Sequence, residues 1–341
     1  MVSKTNVTIE DVAREAGVSR AAVSKVIRNA YGVSDAMRER VQTAIDTLGY
    51  RPSLAARAMR GSTYTIGIEL PATDNPFFHT LLKSMNAALS DTDFQTIISP
   101  IVGRDEGPLA IQRLADRQVD GIVAVAPRSS REWLEEFSAH KPLVLVGHHF
   151  DAVNFDSVVN DDIAGGRLVV EHLVSLGHRN IVMISVPHDP EPSREASPHW
   201  VRSVGYRKAM EDAGLGHHSR VIFNSSDAVE ETRQVTLDLL DGPNPPTAIF
   251  AGHDQLAMGV LWARAERNLS PAELSIVGYD NTDMSAHPLI SLTSVDQSAQ
   301  LFGRRIVALL LERIAGRTEA VHETMTPTLR RRDSSQAPAH H

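Results

Sequence analysis

From Tyr64 onward the chain repeats one pattern: a short apolar run, an amphipathic helical stretch, then another short apolar run. YTIGIEL (64–70), FQTIIS (94–99), GIVAV (121–125) and LVLV (143–146) are strand candidates. Helical patterns lie between them, one beginning after NPFF (75–78) and another reading LAIQRLADRQ. A second series starts near residue 160. There AGGRLVVEHLVSLGH, VRSVGYRKAMEDAG and HDQLAMGVLWARAE read as helices, and NIVMIS, PTAIFA and LSIVGYD as strands. Strands that alternate with helices of about 10–15 residues form βαβ units, and such units build parallel sheets. Two series predict two similar α/β lobes between residues 62 and 332.

Open sheets of this kind hold small molecules in the crevice at the carboxyl ends of their strands. The polar residues at those ends are Asp74 and Asn75, His148 and His149, His253 and Asp254, and Asp280 and Asn281, while Arg202 opens a helix. Asn75, His148, Arg202, His253, Asp254 and Asp280 together supply amide, imidazole, guanidinium and carboxylate groups suited to a hydroxyl-rich ligand. Phe77 and Phe78 offer an apolar face to a sugar ring, and Trp200 offers a second. Plainer roles stay open: Asp254 and Asp280 as helix caps, Arg202 as a surface ion-pair partner, one of the two phenylalanines as core.

The first 61 residues follow a different rule. Thr8 is a good N-cap, with Asp11 three residues on. Ile9, Val12, Ala13 and Ala16 then mark one helical face, and Gly17 ends the helix. Ser19 caps a second helix with Ala22, Val23, Val26 and Ile27 inward. Ser34 caps a third, with Met37, Val41, Ala44, Ile45 and Leu48 inward and Gly49 at its end. Three short helices with a tight first turn make a helix-turn-helix unit at residues 1–52. Its second helix presents Ser19, Arg20, Ala21 and Ser24 to a major groove. Arg20 is suited to guanine O6 and N7 and Ala21 to a thymine methyl, with Lys25 and Arg28 on phosphates. Charge agrees with this division. Residues 1–60 carry ten Lys/Arg against six Asp/Glu, whereas the whole chain has a formal net charge of −8. A basic head on an acidic body suits a head that alone meets a polyanion.

Other classes lose ground. There are no cysteines, hence no disulfide framework, thiolate metal site or cysteine nucleophile. No H-E-x-x-H, Walker loop or post-strand G-x-G-x-x-G occurs, so neither an enzyme nor a metal or cofactor is expected. The adjacent pairs His148–His149 and His217–His218 would point apart in extended chain and read as loop residues. The start of the chain lacks an export signal, and no run of 18 apolar residues spans a bilayer, so a cytoplasmic protein is expected. A periplasmic solute-binding protein would have no use for the head.

TIEDVAREAGVSRAAVSKVI, followed by VSDAMRERVQTAIDTLGYRPSLAARAMR, resembles the DNA-binding head of the LacI/GalR family of bacterial regulators. NPFF, VDGI, DDIAGGRL, HLVSLGHRNI, RSVGY, PPTAIFA and SIVGYD resemble that family's blocks through nearly the whole body. The resemblance implies a periplasmic-binding-protein-like body with lobe crossings near 160, 283 and 320, and a homodimer. Residues 53–61 would form a hinge helix in the minor groove, so that Thr8, Ala22, Ser53, Ala56, Arg57 and Met59 join the DNA-contacting set. Ala22 stands where the family usually has Thr, Met59 where a Leu usually wedges, and His253 where Asn is common. Arg202 and Asp280 match effector-gripping positions. The implied function is a repressor of carbohydrate-utilisation genes, bound to pseudo-palindromic operator DNA and controlled by a mono- or disaccharide. A nucleoside or purine effector is the alternative. The polar end, 333–341, lacks heptads and reads as a disordered tail.

Overall fold

Thr8 starts the first helix as its residue types dictate: its hydroxyl accepts the Asp11 N–H, and the Asp11 carboxylate accepts the Thr8 N–H at 2.9 Å. This helix, α1 (Ile9–Ala16), stops at Gly17, which takes φ 65°, a left-handed conformation that costs glycine little. The turn leads into α2 (Arg20–Ile27) and then α3 (Asp35–Leu48). Val12, Ala13, Ala16, Val23, Val26, Val41, Ala44 and Tyr50 form one small core among them. The computed structural model describes residues 7–27, 30–50, 62–71, 75–101, 107–149, 152–186, 197–226 and 228–339. Arg28, Asp74, Ser53, Ala56, Arg57 and Met59 lie outside these, so the expected hinge helix does too. The chain divides into two units, Met1–Thr63 and Tyr64–His341.

The larger unit holds two six-stranded sheets. The first lobe comprises β1 (Thr65–Pro71), α4 (Pro76–Ala88), β2 (Gln95–Ile101), α5 (Gly107–Asp116), β3 (Gly121–Val125), α6 (Arg131–Ser138), β4 (Leu143–Val146) and β5 (Asp156–Asn160). The chain then enters the second lobe: α7 (Asp162–Leu176), β6 (Ile181–Ser185), α8 (Pro198–Asp212), β7 (Arg220–Phe223), α9 (Val229–Leu240), β8 (Ala248–Ala251), α10 (Asp254–Glu266), β9 (Ser275–Tyr279) and β10 (Thr293–Asp296). Finally α11 (Ala299–Ile314) packs on the first lobe, β11 (His322–Met325) joins its sheet and β12 (Thr328–Arg330) joins the other. Strand order is β2-β1-β3-β4-β5-β11 in one sheet and β7-β6-β8-β9-β10-β12 in the other, all parallel except β12 on β10. Each order reverses direction beside its first strand, so each lobe has a crevice at the carboxyl ends of β1 and β3 or of β6 and β8.

Three features depart from the sequence reading. The second crossing falls at residues 297–298 rather than near 283, because Thr293–Asp296 first adds β10 to the second sheet. The third falls at 326–327 rather than near 320, after β11 has paired with β5. The end of the chain is also not a disordered tail as far as residue 339. Ser334 is buried, accepts the Thr293 N–H at 2.8 Å and donates to Ile276 O at 2.6 Å. Gln336 O meets His178 Nε2 at 2.8 Å, and the Ala339 N–H reaches Ala272 O. Polar residues read as unstructured when no apolar face is visible; here their polarity is what satisfies backbone groups of the second lobe.

Candidate functional site

In the head, Ser19 Oγ accepts the Ala22 N–H at 3.1 Å and so fixes the start of α2. Arg20, Ala21 and Lys25 are exposed along it, Ser24 and Ala22 are half-buried, and Val23 and Val26 anchor the opposite face. Thr8 is exposed and engaged in its capping box. Arg20 Nη1 lies 3.2 Å from Glu10 Oε1, with both side chains more than half exposed. Such an exposed pair contributes about 1 kcal/mol or less and exchanges readily for another acceptor.

In the body, the centre of the cleft is Asp162, the first residue of α7. Asp161 is the N-cap, its Oδ1 accepting the Ala164 N–H at 2.9 Å, which leaves Asp162 to turn inward. Asp162 Oδ1 accepts Arg202 Nε at 3.0 Å and Nη2 at 2.8 Å, together with the Tyr279 hydroxyl at 3.0 Å. Its Oδ2 meets His149 Nε2 at 2.9 Å. Arg202 also donates to Gly252 O, and its guanidinium lies 3.4 Å over the Tyr279 ring. Asn160 Nδ2 donates to the Tyr279 hydroxyl in turn. Burial alone would neutralise these groups; the charges offset it. Arg202 is held charged by Asp162 against the penalty of burial, and Asp162 is lowered by Arg202 against the same penalty.

Glycines bring these side chains together. A Cβ on Gly166 of α7 would lie 2.7 Å from Arg202 O, and one on Gly205 of α8 2.5 Å from Ile163 O. Only hydrogen at both positions lets the helices approach closely enough for Arg202 to reach Asp162.

Asp280 is the second buried acid. It follows β9 with φ 108°, an uncommon backbone conformation for a residue with a Cβ. Asn75 Nδ2 donates to its Oδ2 at 3.0 Å from the other lobe, and Gln297 Nε2 donates to its Oδ1. Burial pushes its carboxyl up to about 7, with Arg202 pulling the other way. Asn75 also caps α4, accepting the Phe77 N–H at 3.0 Å. Phe77 is buried in the first lobe's core and Phe78 packs edge-on against it at 5.7 Å.

Other predicted positions fall nearby with narrower roles. Asp254 is buried with both oxygens engaged: Oδ2 accepts the Thr282 N–H and hydroxyl at 2.8 Å each, and Oδ1 accepts Ser294 Oγ at 2.6 Å. It therefore braces the connection that carries Asp280. His253 caps α10 through Nδ1 and meets His199 edge-to-face at 5.9 Å. His148 is buried, donates from Nε2 to Pro127 O, and is pushed down to about 4 by burial. Trp200 lies under the guanidinium of Arg207. Asp162, Tyr279, Gln297 and His199 are the cleft residues the sequence reading did not name, and His149 was named at a strand end but not carried into the ligand set. The paired aspartates ahead of AGG were the available signal, since a helix uses only one cap.

A separate buried acid stands on β1. Glu69 Oε2 accepts the Val125 N–H at 2.9 Å, Oε1 has no partner among the described residues, and burial pushes the carboxyl up to about 8. Among the described residues no cluster fit to hold a metal occurs, and no helix is long and apolar enough to cross a membrane.

Residues 8–53 match the model for bacterial regulatory proteins of the lacI family, and residues 170–335 match a periplasmic binding protein-like domain. The chain is 30% identical to the ribose operon repressor of Escherichia coli K12 over 339 residues, covering 96% of this chain and 99% of that one. Among solved structures it is similar to a LacI-family transcriptional regulator from Enterococcus faecium with bound ribose (28% identity, TM-score 0.70, 81% of this chain and 100% of that one). It shares the fold of the lac repressor dimer bound to operator (24% identity, TM-score 0.82, 98% of this chain and 100% of that one). With helix-turn-helix head, two parallel-sheet lobes and near-complete coverage of a curated repressor, the chain belongs to the LacI family of bacterial transcriptional regulators.

Proposed function

We propose that this protein is a cytoplasmic repressor of carbohydrate-utilisation genes. It binds a pseudo-palindromic operator as a homodimer, and a small sugar-like effector in the interlobe cleft controls that binding. The observation that carries the DNA side is the exposed start of α2, where Arg20 and Ala21 face solvent on a helix whose other face is core. The cleft supports the effector side: Asp280, Asn75, Gln297 and Arg202 converge from two lobes on the face where such sheets take ligands. Effector and operator are linked through lobe arrangement, so each alters the other's affinity by the same factor. The cleft binds and does not turn its ligand over; conversion of a bound compound by the purified protein would overturn that.

Selection of the full-length protein on a pool of random duplexes tests the DNA reading. Enrichment of two-fold-symmetric half-sites is the expected result, and recovery of no common sequence would overturn it. On the selected site, Arg20→Ala should cost about 1–3 kcal/mol and relax one base position. Equal weakening on all sequences would make Arg20 a phosphate contact instead.

A further inference from the structure

The charges at the first turn of α1 and the start of α2 sort themselves into pairs. Two acids open α1, Glu10 and Asp11. Asp11 is committed to the cap: it accepts the Thr8 N–H at 2.9 Å and the Thr8 hydroxyl at 2.8 Å, and Arg14 Nη2 lies 3.0 Å from its Oδ1. Arg14 stands four residues after Glu10 and would be its ordinary partner along the helix, but it pairs with Asp11 instead. Glu10 reaches across the turn and meets Arg20 Nη1 at 3.2 Å, on the first residue of α2. The two side chains are 59% and 71% exposed, so the pair adds little to the stability of the head. It stands at the end of α2 where Arg20 and Ala21 face solvent, and its consequence lies in what Arg20 does on DNA.

An exposed arginine beside a duplex has two kinds of acceptor within reach: phosphate oxygens, which are the same for every sequence, and guanine O6 and N7. A carboxylate at its side changes that choice. If Arg20 swings to a phosphate, Glu10 loses its counter-charge while facing an anionic lattice. If Arg20 takes guanine, both contacts hold together, because one of the five N–H groups goes to Glu10 and a two-donor edge is left for the base. We propose that Glu10 is a positioning residue for Arg20: it keeps the guanidinium off the phosphates, presents that edge to guanine, and so turns a general anion anchor into a base reader. Glu10 thereby lowers affinity for unrelated DNA and raises discrimination at one base position. This deepens the reading of α2 as the base-reading helix and rests on it.

The test uses the full-length protein, the duplex obtained by selection, and the variants Glu10→Gln, Arg20→Ala and the two combined. Glutamine keeps the length of the side chain and removes its charge, and the cap made by Thr8 and Asp11 is untouched. Affinities are measured by fluorescence anisotropy over a range of salt concentrations on the selected site, on that site with the Arg20-dependent guanine replaced, and on an unrelated duplex. Glu10→Gln should bind the unrelated duplex tighter than wild type and lose about ten-fold of its preference for guanine, within what a bidentate arginine–guanine contact supplies. With Arg20 released to a phosphate, the slope of log K against log salt on the replaced site should steepen by about 0.9. The loss of guanine preference and the steeper slope should both vanish once Arg20 is alanine, which a general charge effect of Glu10 would not do. A guanine preference or a salt slope unchanged in Glu10→Gln, or changes of the same size in the Arg20→Ala background, would overturn the inference while leaving Arg20 as the base reader. Arg20→Ala weakened equally on all sequences would overturn it as well, since Glu10 would then fail to keep Arg20 off the phosphates. Recovery of no common sequence in the selection would overturn the DNA reading itself, and this inference with it.

Discussion

Replacing Glu69 by glutamine isolates one buried titration. In the folded chain the carboxyl is pushed up to about 8 by burial, against a reference value of 4.5. Between those values the unfolded chain has lost this proton and the native chain keeps it. The sign follows: a raised native value gives stability that is fully present below the unfolded value and is lost as pH climbs toward 8. Integrating from pH 5.5 to 7.5 gives a loss of about 2.5 kcal/mol from this residue alone. Glutamine cannot titrate, and its carbonyl can still accept the Val125 N–H that Glu69 takes. Asp254 and Asp280 also titrate upward, and His148 and His172 downward, but they are common to both proteins and cancel in the difference. Urea unfolding followed by tryptophan fluorescence at the two pH values is the assay, since Trp133, Trp200 and Trp262 all lie in the body. Wild type should lose about 2.5 kcal/mol more than Glu69→Gln across this window. Parallel pH profiles would mean that water or rearrangement solvates Oε1, and the burial argument would fail.

Three further outcomes are expected. Asp162→Ala leaves the Arg202 charge buried without its partner and should destabilise the body by about 3–5 kcal/mol in urea unfolding; a loss below about 1 kcal/mol would show that the network relaxes into solvent. Gly166→Ala sets a methyl 2.7 Å from Arg202 O, so it should cost about 1–3 kcal/mol and weaken ligand binding measured by calorimetry, and an unchanged binding isotherm would separate helix approach from the site. Stopping the chain after Arg332 removes the hydrogen bonds of Ser334 and Gln336, worth about 1 kcal/mol each, and should lower Tm by several degrees; an unchanged Tm would return the tail to the disordered reading.

What the sequence makes legible follows from period. The head's three helices announce themselves because caps, apolar faces and terminal glycines agree, and the strands with apolar runs, such as Gly121–Val125, are buried on both faces as their composition requires. DSVVN, TSVD, HETM and TLR, by contrast, are too short and too polar to show a period, and they become β5, β10, β11 and β12 through pairing with neighbours. The lobe crossings shift with them. Within the cleft, Arg202 and Asp280 stand out in sequence because each is a charged residue at the edge of an apolar run. Asp162 does not, because a helix start accommodates an aspartate without any ligand. The adjacent histidines follow the rule that neighbouring side chains diverge: His148 turns to Pro127 O and His149 to Asp162. Which of the two meets the acid depends on a contact across the lobes, and that information lies in the fold alone.

The same cross-lobe contacts define what a ligand can change. Away from the crossing segments, Asn75 to Asp280 and His149 to Asp162 join the lobes through side chains, and each uses an acid at the heart of the cleft. Any compound that hydrogen-bonds Asp280 must share or displace the Asn75 amide. Its binding free energy then contains the difference between one lobe arrangement and another, which is the condition for a ligand to shift a conformational equilibrium at all. Asp162 responds differently. Arg202, Tyr279 and His149 already saturate it in a buried network, so breaking it is costly, and it serves as a fixed pivot while Asp280, held by two amides, is the acid free to change partners. If the cleft takes the effector as proposed, the joint a ligand would shift is Asn75 to Asp280.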